Sequence, residues 1–414
     1  MTELKRNLER KINNLLDFFP LVVIIGTRQC GKTSLSKVLR PDWKYYDLEK
    51  AEHYDLISRD VSFFFKENHE KIIFDEAQLY PDLFKELRGV IDSDRKKNNR
   101  FILTGSSSPE LLKSISESLA GRVGIVELAT FKSNEVYETP LSSFYKIFTN
   151  KLSEESIDLL KQSKPIISHS QVKNHFLKGG YPDAFMAKKQ FMYDQWMENY
   201  FSTYINRDIR SLFPKLDQIK FRRFTQILAN LSGQVINKSN ISRAIEIDNK
   251  TVKDYIDIAD GTFVWRTIQS YDQNNTLKSI IKMPKGGFRD SGLLNYLKKI
   301  QTLEDLDHSP SIGHDFEHYV IEEIIKGLQA TDTTNWNYYF YRTRGGAEID
   351  LILEGSFGIL PIEIKYGVKI NKRSLSSLKQ FVEKNDLPFG IIINNADELK
   401  LVAENIIQVP VMYI

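Results

Sequence analysis

Cysteine is almost absent from this sequence, which has one, Cys30, in 414 residues. A single cysteine excludes an internal disulfide framework and is typical of proteins that work in a reducing compartment. Long apolar runs are missing as well, because none approaches the roughly 20 residues needed to span a bilayer. The charged N-terminal segment also lacks a secretory hydrophobic region. These absences predict a cytoplasmic protein without a membrane partner.

A strong charge of one sign is lacking too, because 57 lysines and arginines oppose 54 aspartates and glutamates, for a net charge of +3. A balance this even does not attract nucleic acid over the whole surface, so any site for a polyanion must be a local cluster. Hydrophobic residues make up 41% of the chain, which is typical of a folded protein rather than a disordered one. The length favours two or three domains over one.

Residues 21–25 form an apolar run that predicts a strand buried on both faces of a parallel sheet. The run leads into a G-x-x-x-x-G-K-T segment and then a helical pattern, the context of a phosphate-binding loop. A glycine turn that matches by chance is the alternative. Lys32 is expected to reach the β- and γ-phosphates, and Thr33 to ligate Mg²⁺. The predicted ATP-binding residues here are Gly26, Thr27, Arg28, Gln29, Cys30, Gly31, Lys32, Thr33 and Ser34.

A second apolar strand pattern, residues 71–74, ends in Asp75 and Glu76. An aspartate at the carboxyl end of such a strand lies beside the phosphate loop of an open α/β sheet, where it can hold Mg²⁺. Glu76 is then a candidate to orient and deprotonate the attacking water. A solvated loop is the common alternative for an Asp-Glu pair, but the order of the two elements favours a nucleotide site.

A third strand pattern, residues 100–103, is followed by the hydroxyl residues Thr104 and Ser106. These side chains are candidates to contact the γ-phosphate or the attacking water, and a helix N-cap is the alternative role for this segment. Arg122 comes directly before a further strand pattern, residues 123–128. It is a candidate to neutralise transition-state charge, on its own nucleotide or on that of a neighbouring subunit, with a plain surface arginine as the alternative.

Four segments, GTRQCGKT, IIFDEAQ, ILTGSSS and SLAGR, follow one another in this order. Together they resemble the AAA+-type prokaryotic ATPases of the additional-strand, catalytic-glutamate class. The resemblance implies a five-stranded parallel sheet and ATP hydrolysis with Glu76 as catalytic base. It also implies that Arg122 is an arginine finger or sensor. A finger would contact the nucleotide of a neighbouring subunit, so the resemblance also implies a homo-oligomer with subunit contacts at Arg122. Residues 1–132 are the predicted P-loop ATPase domain.

The middle of the chain is predicted to be mostly helical, with a lid or linker region over 133–220 and a winged-helix-like domain over 221–300. Basic and aromatic residues alternate between 201 and 223, a pattern that suits contacts to phosphates, with a solvated charged face as the alternative. The second helix of the predicted helix-turn-helix carries Lys250 and Lys253 but also Asp254 and Asp257, so it is nearly neutral. A lid or a subunit-contact module is therefore an alternative to DNA reading.

Two carboxylates and a lysine converge in the predicted C-terminal domain, residues 301–414. Glu363 and Lys365 are two residues apart on one predicted strand and so share a face, while Asp350 lies on the preceding strand. Carboxylates held together repel each other, and a divalent cation with Asp350 and Glu363 as ligands would relieve this. Lys365 would then position or deprotonate an attacking water.

This D…ExK pattern, in an α-β-β-β-α-β order, resembles the PD-(D/E)xK nuclease superfamily with its restriction-endonuclease-like fold. The resemblance implies DNA as a partner and a second Mg²⁺, or Mn²⁺, with Glu317 of the preceding helix as a further ligand. Ile349 stands where the family's motif has proline. A degenerate nuclease fold kept for binding or assembly is the alternative. The whole chain also resembles a widespread prokaryotic family of ATP-binding proteins of unknown function.

Taken together, the sequence predicts an α/β protein with a P-loop ATPase, a helical and winged-helix middle and a restriction-endonuclease-like C-terminal domain. The predicted function is binding and hydrolysis of Mg-ATP coupled to action on DNA, through metal-dependent phosphodiester cleavage or DNA binding. The alternative is a nucleotide-dependent regulatory switch whose nuclease-like domain is inactive and binds DNA or protein.

Overall fold

The structure is a computed structural model that describes residues 4–106, 115, 117–272 and 283–414. The chain divides into two compact units, one of Met1–Phe131 with Gly261–Phe263 and one of Lys132–Asp260 with Val264–Ile414. Apart from residues 261–263, the three predicted domains between residues 133 and 414 lie in the second unit, and their separation stays a prediction. The helix start considered at residues 109–111 lies outside the described residues.

The first unit is built on a five-stranded sheet in which every neighbouring pair of strands is parallel. Its strand order is β2-β3-β4-β1-β5, so β4 separates the strand before the phosphate loop from the strand that ends in Asp75. The predicted five-stranded parallel sheet is confirmed. The strands are β1 (Leu21–Gly26), β2 (Lys44–Asp47), β3 (Ile72–Asp75), β4 (Phe101–Ser106) and β5 (Val123–Glu127).

Helices cover both faces of this sheet, which explains the unbroken apolar run in β1. Val22 and Ile24 pack in one hydrophobic cluster with residues of the first two helices, while Leu21 and Val23 face a second cluster on the other side. Both clusters are closed to solvent, so a polar residue in β1 would have no wet face to occupy. The helices are α1 (Glu9–Phe18), α2 (Lys32–Leu39), α3 (Ala51–Ser58), α4 (Val61–Glu67) and α5 (Asp82–Ser93), with a 3₁₀ turn at Ala77–Leu79.

The second unit begins with a mostly helical region, as the sequence predicts for this part of the chain. Its fifth helix continues through π-helical turns at Tyr204–Ile209 into a further α-helical turn. The helices are α6 (Ser133–Val136), α7 (Glu154–Lys161), α8 (His169–Lys178), α9 (Pro182–Phe185), α10 (Gln190–Thr203) and α11 (Arg210–Leu212), with a 3₁₀ segment at Ser143–Phe148.

Among the described residues between 218 and 288, three helices and three short strands follow, in the order helix, strand, helix, helix, strand, strand. The strands pair antiparallel, with the last of them between the other two. The elements are α12 (Gln218–Asn230), β6 (Gln234–Val235), α13 (Lys238–Ile245), α14 (Asn249–Gly261), β7 (Trp265–Ser270) and β8 (Lys285–Phe288).

The C-terminal region contains the element order predicted from its sequence, a long helix, three strands, a helix and a strand, and two further strands that were not predicted follow it. Its strands join the preceding ones in a single nine-stranded sheet, β13-β14-β12-β11-β10-β9-β7-β8-β6. The elements are α15 (Ser291–Lys298), α16 (Leu303–His308), α17 (Ile312–Gln329), β9 (Asn337–Arg342), β10 (Glu348–Gly355), β11 (Gly358–Lys365), α18 (Lys372–Lys384), β12 (Gly390–Asn394), β13 (Lys400–Ala403) and β14 (Ile406–Pro410), with a 3₁₀ turn at Val411–Tyr413.

Candidate functional site

The predicted phosphate loop lies between β1 and α2, and its backbone needs glycine at two points. A Cβ on Gly26 would lie 2.1 Å from the carbonyl oxygen of Leu128, so no side chain fits there. Gly31 has a φ of 97° and Gln29 a φ of 60°, both in the left-handed region that lets the loop turn tightly. Cys30 is fully buried, and its Sγ donates to the carbonyl of Leu128 at 3.2 Å. The loop is therefore packed on the segment that follows β5.

Lys32 is the buried cation of this loop. Only 5% of the residue is exposed, and Nζ donates to the carbonyl oxygens of Gly26 at 3.0 Å and Thr27 at 2.9 Å. Carbonyl oxygens satisfy an ammonium through partial charge alone, so a phosphate would be a stronger partner for it. The positive charge is thus held at the mouth of the loop.

Asp75 is the centre of a hydroxyl cluster at the carboxyl end of β3. Oδ2 accepts from Thr33 Oγ1 at 2.7 Å and from Tyr45 OH at 2.6 Å, and Oδ1 accepts from Thr104 Oγ1. The hydroxyl and the carboxylate predicted to share Mg²⁺ are therefore in direct contact. Hard oxygen donors of this kind suit Mg²⁺, so the residues present fit the ion.

Glu76 directly follows Asp75 and has a φ of 54°, an uncommon left-handed conformation for a residue with a side chain. Its Oε2 accepts from Ser106 Oγ at 2.8 Å and from Gln78 Nε2. Burial raises the pKa of Glu76, but the Lys32 charge and these hydrogen bonds outweigh it and leave the pKa below its ordinary value. The carboxylate is therefore held in the ionised form that a general base requires.

The remaining predicted ATP-binding residues line the outside of the loop. The Arg28 guanidinium lies 3.4 Å from Glu49 Oε1, and Gln29 and Ser34 are exposed. The backbone N–H groups of these residues, rather than their side chains, are the groups that a phosphate loop presents to its ligand.

Arg122 is not brought to this site. Its guanidinium forms a two-pronged ion pair with Asp92, at 2.8 Å to Oδ1 and 3.0 Å to Oδ2, and also donates to the carbonyl of Ala120. In the parallel pairing of β1 and β5, Leu21 lies opposite Val123, so Arg122 is at the amino end of the strands. The phosphate loop leaves the other end of β1, about 17–20 Å away for six residues of strand. This position does not support action of Arg122 on the γ-phosphate of its own subunit, and action on that of a neighbouring subunit stays a prediction.

A second polar cluster lies in the C-terminal region of the second unit. β10 and β11 are antiparallel neighbours, as predicted, and bring Asp350 beside Glu363 and Lys365. Lys365 Nζ lies 2.7 Å from Glu363 Oε1 and 3.3 Å from Asp350 Oδ2, and Asp350 Oδ2 also accepts from the Ile364 N–H at 2.8 Å. The lysine thus bridges the two carboxylates that the sequence assigns to a metal.

Glu317, the third predicted ligand, meets a different partner. Its Oε1 accepts from Nζ of Lys285, and that ammonium also lies 3.8 Å from Asp350 Oδ1. Among the residues that the structure describes, no group of three or more His, Cys, Asp or Glu side chains is arranged to hold a metal ion. The set of Glu317, Asp350 and Glu363 therefore does not fit the predicted second Mg²⁺ or Mn²⁺, because a lysine stands between its members.

The carboxyl of Glu363 titrates far from its ordinary range. Burial and the charge of Asp350 raise its pKa to about 8, against the opposing effect of Lys365. Burial lowers the pKa of Lys365, but the two carboxylates outweigh it and the pKa is raised overall. The lysine is therefore held as a cation here, which makes it a counter-ion and not a base.

Three residues of these sites were not predicted from the sequence. Tyr45 stands on β2 and Gln78 two residues beyond Glu76, and neither belongs to a motif that we recognised. Lys285 is 65 positions before Asp350, and only the sheet brings it near. The run of two glycines after Lys285 was the available signal, because adjacent glycines in a strand mark a close approach of another element.

Comparison with known proteins identifies the class of the first unit. Residues 19–137 match a family model described as an AAA domain. The chain therefore carries an AAA-type P-loop ATPase domain, with the parallel sheet and phosphate loop described above. Residues 169–304 and 312–414 match two further models, each described as a domain of unknown function (DUF8612 and DUF4143).

Relatives of the whole chain carry no assigned role in their names. The chain is 27% identical over 377 residues to the "Uncharacterized protein Rv2008c" of Mycobacterium tuberculosis and equally to the "Uncharacterized protein Mb2031c" of Mycobacterium bovis. The match covers 91% of this chain and 76% of each relative.

Two solved structures show a distant likeness. The Walker-type ATPase PABY2304 of Pyrococcus abyssi is 16% identical, with a TM-score of 0.42, over 70% of this chain and 94% of that one. The RuvB Holliday junction branch migration motor of Thermotoga maritima is 14% identical, with a TM-score of 0.29, over 64% and 90%. Both are too distant to bear on function.

Helices that could cross a membrane were sought as well. Within the described ranges, no helix combines the length with the apolar character that a crossing requires. This agrees with the short apolar runs of the sequence.

Proposed function

We propose that this chain binds Mg-ATP at the phosphate loop of its first unit and hydrolyses it. The observation that supports this is the 2.7 Å contact between Thr33 Oγ1 and Asp75 Oδ2, with Lys32 and Glu76 beside it. A hydroxyl after the loop lysine and a carboxylate on a neighbouring strand are the pair that Mg-nucleotide sites require. The predicted cytoplasmic location belongs to this proposal.

Each residue has a separate task in the proposed reaction. Lys32 turns its ammonium from the carbonyls of the loop to the β- and γ-phosphates. Thr33 and Asp75 would hold a magnesium ion, which would supply positive charge to stabilise the phosphate oxygens. Glu76 accepts the proton of the attacking water, since its pKa is kept low enough for the ionised form.

Two hydroxyl residues support these groups rather than react. Thr104 donates to Asp75, and Ser106 donates to Glu76 at 2.8 Å. In the structure these side chains therefore position the two carboxylates, and contact of either with the γ-phosphate stays a prediction. Gln78 donates to the same oxygen of Glu76 and also to Ser106 Oγ at 3.3 Å, so it restrains this pair further.

Paired variants test the ATPase proposal. Glu76→Gln should bind ATP with wild-type affinity and lose turnover, because it removes the base and keeps the shape. Lys32→Ala should lose binding itself. Glu70→Gln, which removes a carboxylate that pairs with Lys97 in the same unit, is the control and should keep both. Wild-type turnover in either of the first two variants would refute the proposed site.

A second candidate concerns the rest of the chain, namely a nucleotide-dependent switch whose nuclease-like region does not cut DNA. The position of Lys285 between Glu317 and Asp350 favours this over metal-dependent cleavage. Digestion of plasmid and single-stranded DNA with Mg²⁺ or Mn²⁺, with and without ATP, separates the two. Nicking by the wild type that Glu363→Ala abolishes would restore the cleavage proposal.

DNA as a binding partner is a separate proposal. The helix and strand order of residues 218–288 supports it, as does the alternation of basic and aromatic residues between 201 and 223. Lys250 and Lys253 are exposed on α14, but so are Asp254 and Asp257, which weakens an attraction to phosphate. ATP turnover measured with and without duplex DNA over a salt series tests it, and an unchanged rate at low salt would count against DNA.

A further inference from the structure

Lys285 is a buried lysine in the nine-stranded sheet of the second unit. It is the first residue of β8, where it pairs with Ile268 of β7 and Val235 of β6, and only 2% of it is exposed. A charge buried to this degree is strongly unfavourable unless carboxylates pair with it. The groups that surround its ammonium therefore indicate the role of this charge in the cluster.

Those groups are carboxylates that would otherwise repel each other. Nζ of Lys285 contacts Glu317 Oε1 of α17 and lies 3.8 Å from Asp350 Oδ1 of β10. The other carboxylate oxygen of Asp350 lies 3.3 Å from Nζ of Lys365, and the same Nζ lies 2.7 Å from Oε1 of Glu363. Carboxylates and ammonium groups alternate through this cluster, so each pair of carboxylates already shares a positive charge.

The two glycines after Lys285 fix this arrangement. A Cβ on Gly287 would lie 2.4 Å from the ring of His318, and one on Gly286 would lie 2.6 Å from the indole of Trp265. Because Gly287 lacks a side chain, β8 lies close against α17, while Gly286 leaves room for Trp265 of β7. This closeness is what carries the ammonium of Lys285 to Glu317, one residue before His318.

One polar atom of the cluster has no internal partner. Oε2 of Glu363 is buried, and among the described residues nothing donates a hydrogen bond to it. Once the carboxyl of Glu363 is ionised, this unsatisfied oxygen is a ready ligand for a cation that enters the cluster. Oxygen ligands for a divalent ion are therefore present, while the place between Glu317 and Asp350 is filled by the lysine.

We propose that Lys285 is a built-in counter-ion that takes the place of a divalent cation between Glu317 and Asp350. The native cluster then binds no divalent ion, and exchange of Lys285 for an uncharged residue of similar length opens a divalent-cation site. This inference deepens the second candidate function and does not depend on ATP hydrolysis.

Manganese binding to the full chain tests the proposal, measured by calorimetry without nucleotide. Lys285→Met keeps the length of the side chain and removes its charge. It should gain one Mn²⁺ site at least tenfold tighter than any in the wild type. Adding Asp350→Asn to this variant should remove the new site. Lys298→Met is the matched control, because Lys298 is as deeply paired, at 2.6 Å from Asp315, and should gain nothing.

Two results would overturn the proposal. The first is a Lys285→Met protein with a wild-type circular dichroism spectrum and no gained site. The second is Mn²⁺ binding by the wild type that Asp350→Asn abolishes. If Lys285→Met does not fold, an experiment on the wild type alone still tests the proposal. Fe²⁺-generated hydroxyl radicals should leave the backbone intact at residues 350 and 363, and scission there would contradict a resident lysine.

Discussion

Replacement of Asp75 by asparagine separates a structural role of this residue from a role in metal binding. Asp75 is 4% exposed and accepts hydrogen bonds from Thr33, Tyr45 and Thr104. Asparagine has the same shape, and its amide oxygen can keep the two bonds at the Oδ2 position. Only the bond from Thr104 is lost, because its hydroxyl then meets the amide nitrogen, which donates and cannot accept.

The expected magnitudes differ for the two roles. Hydrogen bonds to a charged acceptor contribute about 1.5–3 kcal/mol each, and a hydroxyl can rotate to accept from the amide, so we expect the unfolding free energy to fall by about 1–2 kcal/mol. The loss of the charge that holds Mg²⁺ acts on the reaction instead. We expect turnover to fall about 100-fold or more, equal to about 2.7 kcal/mol in activation free energy.

Tyr45→Phe is the matched control, because it removes one donor from the same carboxylate and leaves the charge in place. It should lower stability by about 1 kcal/mol, since the hydroxyl is only partly buried, and keep turnover within a few-fold of wild type. Urea unfolding measures the stabilities, and a coupled phosphate-release assay measures turnover. Equal losses of turnover in the two variants would refute a metal-holding role for Asp75.

Three shorter predictions follow from other contacts. Gly26→Ala should destabilise the chain by about 1–3 kcal/mol in urea unfolding because its Cβ meets the Leu128 carbonyl, and unchanged stability would contradict the packing of the loop. Arg122→Ala should leave turnover unchanged in dilute protein, because the parallel register puts Arg122 at the far end of β5; a loss that persists on dilution would revive action on its own nucleotide. Glu363→Gln should remove a pH dependence of stability, because a folded-state pKa raised from 4.5 to about 8 makes the wild type lose stability as pH rises between these values. Urea unfolding at several pH values measures this, and an unfolding free energy that changes equally with pH in both proteins would rule it out.

The phosphate loop and its neighbours were predictable because they are local in sequence. The glycines, Lys32 and Thr33 lie within one strand-loop-helix segment, and the parallel sheet then places Asp75 beside them. The pairing of Asp350 with Glu363 was equally accessible, since a short turn joins their strands.

Contacts that depend on the order of strands in a sheet were not predictable in the same way. Tyr45 reaches Asp75 because β2 pairs with β3, and Lys285 reaches Asp350 from a strand three places from β10 in the sheet. Arg122 shows the opposite case, because its place at the far edge of the sheet follows from the sequence alone. A residue before a parallel strand lies at the other edge of the sheet from residues that follow one, so its distance from the loop was foreseeable.

The pairing of β7 with β9 constrains how the second unit can be divided. Gln269 and Ser270 pair with Tyr339 and Phe340 in parallel, yet the two matched segments of unknown function end at 304 and begin at 312, between these strands. A fragment cut there would expose an unpaired edge of β7 on one piece and of β9 on the other, each a template for aggregation. Neither segment can be transplanted into another protein without a host strand to replace the missing neighbour.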